Sequence, residues 1–190
     1  MDYHRIYTVT AIILKRKSVG EADKTLTLFG KQHGKLRVIA KGIRKITSRR
    51  APHLELFSES IVTIHKAKTW DIVGEVTPKT VFSGSYKRLE QMAGAYFVSE
   101  VIEYLIPENQ EQDKVYESLH HTLSELTYRT GTEIIDELSS FTKLVLKELG
   151  YVTANSDTLS FSKMIRIIET VVERKLRTVK LLHQSGLSWN

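Results

Sequence analysis

The chain has 190 residues, 41% of them hydrophobic and 26% charged, with a net charge of +6, seven histidines and no cysteine. Those proportions belong to a folded globular protein rather than a disordered one, and the lack of cysteine excludes disulfides and every thiolate-held zinc or iron–sulfur centre. No apolar run reaches membrane-spanning length and residues 1–20 lack the apolar core of a signal peptide, so a soluble, unsecreted, cytoplasmic protein with no membrane partner is expected.

Five runs rich in Val, Ile, Thr and Leu come first: Ile6–Lys15, Lys24–Gly30, Lys35–Ile43, Ser60–Lys66 and Trp70–Val76. Turn residues separate them, namely Gly20, His33-Gly34, Pro52 and Lys68-Thr69. Five strands without helix-length periodicity predict a small closed β-barrel of the OB type, with an SH3-like barrel as the neighbouring solution. After Pro78 the period becomes helical. Ser83 or Ser85 is placed to cap a helix carrying Leu89, Met92, Ala93, Tyr96, Phe97, Ile102 and Leu105, which stops at Pro107. A second helix carries Val115, Leu119, Leu123 and Leu126. A third carries Ile134, Ile135, Leu138, Phe141, Val145 and Leu149 and ends at Gly150, a left-handed capping position. A polar connection, Tyr151–Ser162, leads to one last helix with Met164, Ile167, Ile168, Val171, Val172, Leu176 and Val179. The expected class is α+β, with a barrel over residues 1–80 and a helical bundle over residues 81–190.

Charge divides at the same place. Residues 1–80 hold 16 basic and 7 acidic side chains, while residues 81–190 hold 12 and 15. Between Lys31 and Arg50 stand eight Lys or Arg and no acid. Strand alternation of Leu36, Val38 and Ala40 against Lys35, Arg37 and Lys41 puts the three cations on one side, roughly 7 Å apart, comparable with phosphate spacing. Arg44, Lys45, Arg49 and Arg50 continue the tract into the following loop. Eight uncompensated cations repel one another, so a polyanion is a better reading than a solvated surface, and nucleic acid is the expected ligand. Ile39 falls on the cationic side, as a packing or stacking residue or as the mark of a bulge. Of the aromatic residues Tyr3, Tyr7, Phe29, Phe57, Trp70 and Phe82, most are expected in the core. Tyr7 and Trp70 are the candidates for stacking on bases.

The remaining residues do not assemble a reaction centre. The histidines make no metal set, since His120 and His121 are adjacent and diverge on a helix. There is no HExxH, Walker loop, GxGxxG or GxSxG, and no cofactor is expected. Glu21 and Asp23 sit in a turn and are expected to accept from backbone amides; Glu100/Glu103 is an ordinary helical pair. No catalytic residue is assigned.

Several segments then acquire a common meaning: Ala11–Arg16, Gly20-Glu21-Ala22-Asp23, Leu26–Phe29, His33–Arg37, Ala40–Lys45, Ser48-Arg49 and Leu54–Phe57. Weaker echoes are Ala95–Glu100, Leu105–Glu108, Leu144–Tyr151 and Arg174–Arg177. In this order and spacing the chain resembles the bacterial recombination mediator family RecO from end to end. The resemblance implies an OB fold followed by a helical domain, binding of single- and double-stranded DNA, and annealing of complementary strands. It also implies recombinase loading in DNA repair at the nucleoid, partnership with RecR, and docking of the acidic C-terminal tail of single-stranded DNA-binding protein on the helical domain. Many family members carry a four-cysteine zinc module after the segment matching Leu149-Gly150-Tyr151. Here about a dozen residues without cysteine stand in that place, so zinc is excluded and any contact made by that module is missing or replaced. For the acidic tail, Arg174, Lys175, Arg177 and Lys180 in the last helix are the candidate cations; the alternative is that they balance the helix C-terminal dipole. Two other readings of the whole chain are an RNA-binding or ribosome-associated module and an unrecognised nuclease, the latter poorly served by seven dispersed acids in the basic half.

Overall fold

The computed structural model describes residues 6–46, 48–153 and 159–189. Tyr3 and residues 154–158 of the polar connection lie outside that range. The chain forms a five-stranded sheet followed by helices, an α+β architecture, and divides into two compact units. One is Met1–Gly84 with Pro107–Asp113; the other is Ser85–Ile106 with Lys114–Asn190. Residues 107–113 therefore leave the helical half and pack with the sheet.

The strands are β1 (Ile6–Val19), β2 (Asp23–Gly30), β3 (Gly34–Ala40), β4 (Ser58–His65) and β5 (Asp71–Val81). They hydrogen-bond in the order β1-β2-β3-β5-β4, and β4 returns to β1, so the sheet closes. Among the described residues four pairings are antiparallel, and β3 with β5 is parallel through two residue pairs, Val38 with Asp71 and Ile39 with Ile72. β1 is long enough to serve two neighbours. Its Ile6–Ile12 half pairs with β4 and its Ala11–Val19 half with β2. The register slips between Ile13 and Lys15, and such a bulge bends the strand as closure requires. β5 runs through Pro78 to Val81, where the sequence suggested an end at Val76. The register shift against β4 at Glu59/Ser60, opposite Pro78, accommodates a residue with no amide hydrogen to donate.

Inward positions obey the alternation. Val9, Ala11 and Ile13 from β1 meet Leu26 and Leu28 from β2, Leu36, Val38 and Ala40 from β3, Val62 and Ile64 from β4, and Val73 from β5. Leu54 and Ile43 join this core from the β3–β4 connection. Each of these side chains is at most 5% exposed, so this interior is the main source of the unit's stability.

The helical unit contains α1 (Leu89–Leu105), α2 (Asp113–Glu125), α3 (Thr132–Glu148), α4 (Phe161–Val171) and α5 (Arg177–Gln184). Two expectations are corrected. Ser83 and Ser85 form a short 3-10 turn instead of capping α1. The buried Gln91 takes the capping role, its Oε1 accepting from the amides of Lys87 and Arg88 while its Nε2 donates to the carbonyls of Thr127 and Arg129. The single last helix is two helices, broken where Glu173 adopts a positive φ of 52°. Gly150, with φ of 76°, follows α3 in the left-handed conformation expected of it.

The break is stabilised by acids. Glu169 accepts from the amide of Leu176 and from Lys175 Nζ. Glu100 on α1 accepts from the amides of Arg177 and Thr178 and from the Thr178 hydroxyl. A carboxylate at a helix N-terminus satisfies otherwise orphaned donors and meets the positive end of the dipole. Replacing Glu100 with alanine is therefore expected to cost about 1–2 kcal/mol. Hydrogen exchange should accelerate at the first amides of α5, and equal exchange in the two proteins would refute the assignment.

Candidate nucleic-acid interface

The expected row of three strand cations is only partly present. Lys35 and Arg37 do lie on the outer side of β3, opposite Leu36 and Val38, but Lys35 is only 4% exposed. Residues 107–113 run beside it. Glu108 forms a parallel bridge with Lys35, the Asn109 amide donates to the Lys35 carbonyl at 2.9 Å, and Glu108 Oε1 pairs with Arg37 Nε at 2.7 Å. Gly34 makes this approach feasible, because a Cβ there would sit 1.8 Å from the Gln110 carbonyl oxygen. Lys35 thus drops out of the open surface. Arg37, with its side chain 47% exposed, remains on it.

The loop after β3 carries the rest. Gly42 donates to Asp23 Oδ1 at 2.7 Å, the Arg44 amide donates to the Ala22 carbonyl, and Arg44 Nη1 donates to the Gly20 carbonyl. Asp23 accordingly takes the amide-accepting role read from its turn, and the β1–β2 turn holds the basic loop in place. Lys41, Arg44, Lys45 and Arg49 are exposed. Arg50 is not a free-standing surface cation. Its Nη1 donates to the carbonyls of Val73 and Gly74 and its Nη2 to that of Lys41, so it staples the loop to β5.

Two cations were missed by sequence reasoning. Counting by twos from Ala11 and Ile13 points Lys15 and Lys17 inward, but the bulge at Leu14 reverses the parity. In the resulting register Lys15 pairs with Thr27, which pairs with Arg37, and Lys17 pairs with Thr25, which pairs with Ile39. Lys15 and Lys17 are exposed. Cations therefore lie on the outer side of β1, at Lys15 and Lys17, and of β3, at Arg37, with Thr25 and Thr27 of β2 between them, and continue into the loop at the end of β3. The one sequence signal was the LKRK run itself, whose three adjacent cations cannot all be buried.

Among the aromatic candidates, Phe29, Phe57 and Phe82 are buried. Trp70 is 42% exposed. Tyr7 is half-buried, stacked on His33 with centroids 4.9 Å apart, and has the Lys66 ammonium 5.6 Å from its ring centre. Burial, and then the charge and hydrogen bond of the Asp71 carboxylate, push its hydroxyl up to about 12, so it stays a protonated donor. A cavity of about 350 Å³ opens beside these groups, lined by Leu36, Arg37, Thr69, Trp70, Asp71, Glu108 and Asn109.

In the helical unit, Arg174, Lys175, Arg177 and Lys180 are all exposed and lie at the break between α4 and α5. Arg174 and Lys175 follow the C-cap of α4 at Val172, where balancing that helix's dipole also accounts for them, whereas Arg177 and Lys180 stand in α5, Arg177 at its first position. The Arg174 guanidinium sits 5.0 Å from the Tyr104 ring centre, and Lys175 pairs with Glu169 at 2.7 Å. A groove of about 590 Å³ runs between the two helices, lined by Ile165, Leu176 and Val179 together with Lys175, Lys180, His183, Gln184 and the acid Glu169 that pairs with Lys175. Among the described residues, no three His, Asp or Glu side chains gather to hold a metal ion, and no helix is long and apolar enough to cross a membrane.

Residues 1–82 match the family model described as Recombination protein O N terminal, and residues 86–154 match Recombination protein O C terminal. A DNA repair protein RecO from Roseiflexus sp. is 33% identical over 147 residues, covering 77% of this chain and 51% of that protein. Its counterpart from Synechococcus elongatus is 33% identical over 150 residues, covering 77% and 55%. One from Thermoanaerobacter sp. is 29% identical over 147 residues, covering 77% and 59%. The chain thus spans about half the length of the curated relatives it matches.

Proposed function

The chain belongs to the RecO family, and from that membership and the cationic surface we propose that it is a non-enzymatic DNA-binding mediator of recombinational repair acting at the bacterial nucleoid. In this reading the closed five-stranded sheet, ordered β1-β2-β3-β5-β4 with a parallel β3–β5 pair, is an OB fold. The observation that carries the reading is that Lys15 and Lys17 of β1, Arg37 of β3 and Lys41, Arg44, Lys45 and Arg49 of the adjoining loop share one side of the sheet, bridged by the threonines of β2. Such a surface neutralises phosphates without the paired amide and guanidinium geometry of base-pair readout, so binding is weakly sequence-dependent. Holding two strands at once lowers their mutual repulsion, a physical basis for annealing. RecR and the tail of single-stranded DNA-binding protein are the proposed protein partners, with recombinase loading as the outcome. The α4–α5 groove, with apolar Ile165, Leu176 and Val179 beside Lys180 and the Lys175–Glu169 pair, is the proposed seat of a tail that is acidic with a hydrophobic end.

The test mixes complementary labelled DNA strands with the protein in magnesium across a salt series. Faster pairing of intact strands, and log affinity falling with log salt at a slope of about −4 to −5 for some five phosphates, is the expected result. Shortened strands would make it a nuclease. Tighter binding to RNA of the same sequence would favour an RNA-binding module.

A further inference from the structure

The cavity beside Trp70 carries the wrong charge for the surface around it. Its lining includes two carboxylates, Asp71 and Glu108, and one cation, Arg37, which pairs with Glu108, so a net negative charge remains. Carboxylates repel phosphate, so the backbone itself does not enter. What enters must bring hydrogen-bond donors and no charge. Trp70 supplies an exposed aromatic wall from the β4–β5 connection, and Asn109 adds an amide. At about 350 Å³ the recess lies near the lower bound of small-ligand pockets, which run from roughly 300 to 1,000 Å³.

We propose that this recess receives one unpaired nucleobase of single-stranded DNA, guanine in preference to the other three, stacked on Trp70 and bonded to the carboxylates. The proposal rests on the DNA-binding reading and deepens it. Guanine alone presents two adjacent donors, N1–H and the N2 amino group, on its pairing side, and a carboxylate accepts such a pair side by side. Thymine offers one donor and two carbonyls that would face the same oxygens. Neither carboxylate is exhausted by its present partners. Asp71 Oδ1 accepts from the Ala67 amide at 3.2 Å and Asp71 also holds the Tyr7 hydroxyl, while Glu108 Oε1 accepts from Arg37, yet a carboxylate offers about four lone-pair positions. Arg37, on the lining and also in the cationic row, places the phosphate of the bound nucleotide on the tract that holds its neighbours. A duplex keeps its bases paired and stacked, so the recess also distinguishes single strands from double strands.

The chain has two tryptophans, Trp70 and Trp189, so a Trp189→Phe background makes Trp70 the sole fluorophore. In that background dGMP is titrated against dTMP, and twelve-residue thymidine oligonucleotides with or without one central guanine are compared by anisotropy. The expected results are quenching of Trp70 by dGMP but not by dTMP, and about 5- to 10-fold tighter binding of the guanine-bearing oligonucleotide. Trp70→Ala should erase the preference, Trp70→Phe should retain part of it, and both should leave the salt slope and melting temperature unchanged. Equal affinity for the two oligonucleotides without dGMP quenching, or a preference that survives Trp70→Ala, would overturn the recess while leaving DNA binding intact. Quenching by dGMP without binding of any oligonucleotide would sustain the recess and overturn the polyanion reading.

Discussion

Gly34→Ala should lower the stability of the first unit by about 2–4 kcal/mol, more than a surface substitution commonly does. Two effects combine. The residue has φ of +64°, where an L side chain costs about 1–2 kcal/mol. Its Cβ would also meet the Gln110 backbone oxygen at 1.8 Å, a contact with peptide and not with a yielding side chain. Residues 107–113 must move away, giving up the Asn109–Lys35 backbone bond and the Glu108–Arg37 pair, at about 1 kcal/mol for each bond lost. Gly20→Ala is the matched control, since Gly20 has φ of +58° but nothing within 4 Å of the added atom. Urea unfolding of the two variants should differ by the cost of displacing the segment, and the Asn109 amide should exchange faster only in Gly34→Ala. Equal losses would show that the segment yields freely.

The second large effect concerns DNA. Replacing Lys41, Arg44, Lys45 and Arg49 together with alanine should flatten the salt slope by about three to four and weaken binding about a hundredfold or more near 0.1 M salt. Stability should fall little, because these four side chains are exposed and Arg44 bonds to the fold through the exposed Gly20 carbonyl. Arg50→Ala should behave in the opposite way. Removing its guanidinium leaves the carbonyls of Val73, Gly74 and Lys41 without that donor, at about 1–3 kcal/mol, while the slope shifts by less than one. A fourfold variant with an undiminished slope would move the DNA path off this loop.

These contrasts mark where the amino-acid sequence speaks clearly and where it does not. Runs of Val, Ile, Thr and Leu between turn residues located all five strands, and period-two alternation located the inward residues of β3, because burial on one side leaves a local record. Turn chemistry placed Asp23 and Gly150 in their roles for the same reason. What escaped was non-local. The burial of Lys35 depends on residues more than seventy positions away, and nothing within β3 announces a partner there. The parity of Lys15 and Lys17 depends on one inserted residue in β1, and a single slip reverses every side chain beyond it. Arg50 has the composition of a DNA contact and the geometry of a staple; the difference lies in three carbonyls contributed by other segments. The division between α4 and α5 was hidden because Val171, Val172, Leu176 and Val179 sustain a helical period across it, while the acids that stabilise the break, Glu100 and Glu169, lie outside it.

Residues 107–113 also bear on how this unit is made. Among the described residues β5 accompanies β3 only at Val38 and Ile39, and the bridge from Glu108 to Lys35 takes over nearer the start of β3. Until that segment arrives, the start of β3 is an uncovered strand edge, of the kind that recruits strands from other chains. A polypeptide emerging from the ribosome has made every strand by Val81 but lacks this cover until synthesis has passed residue 113, with all of α1 made in between. The sheet is complete as a list of strands well before it is protected as a surface, and that interval is when two nascent copies are most prone to pair with each other.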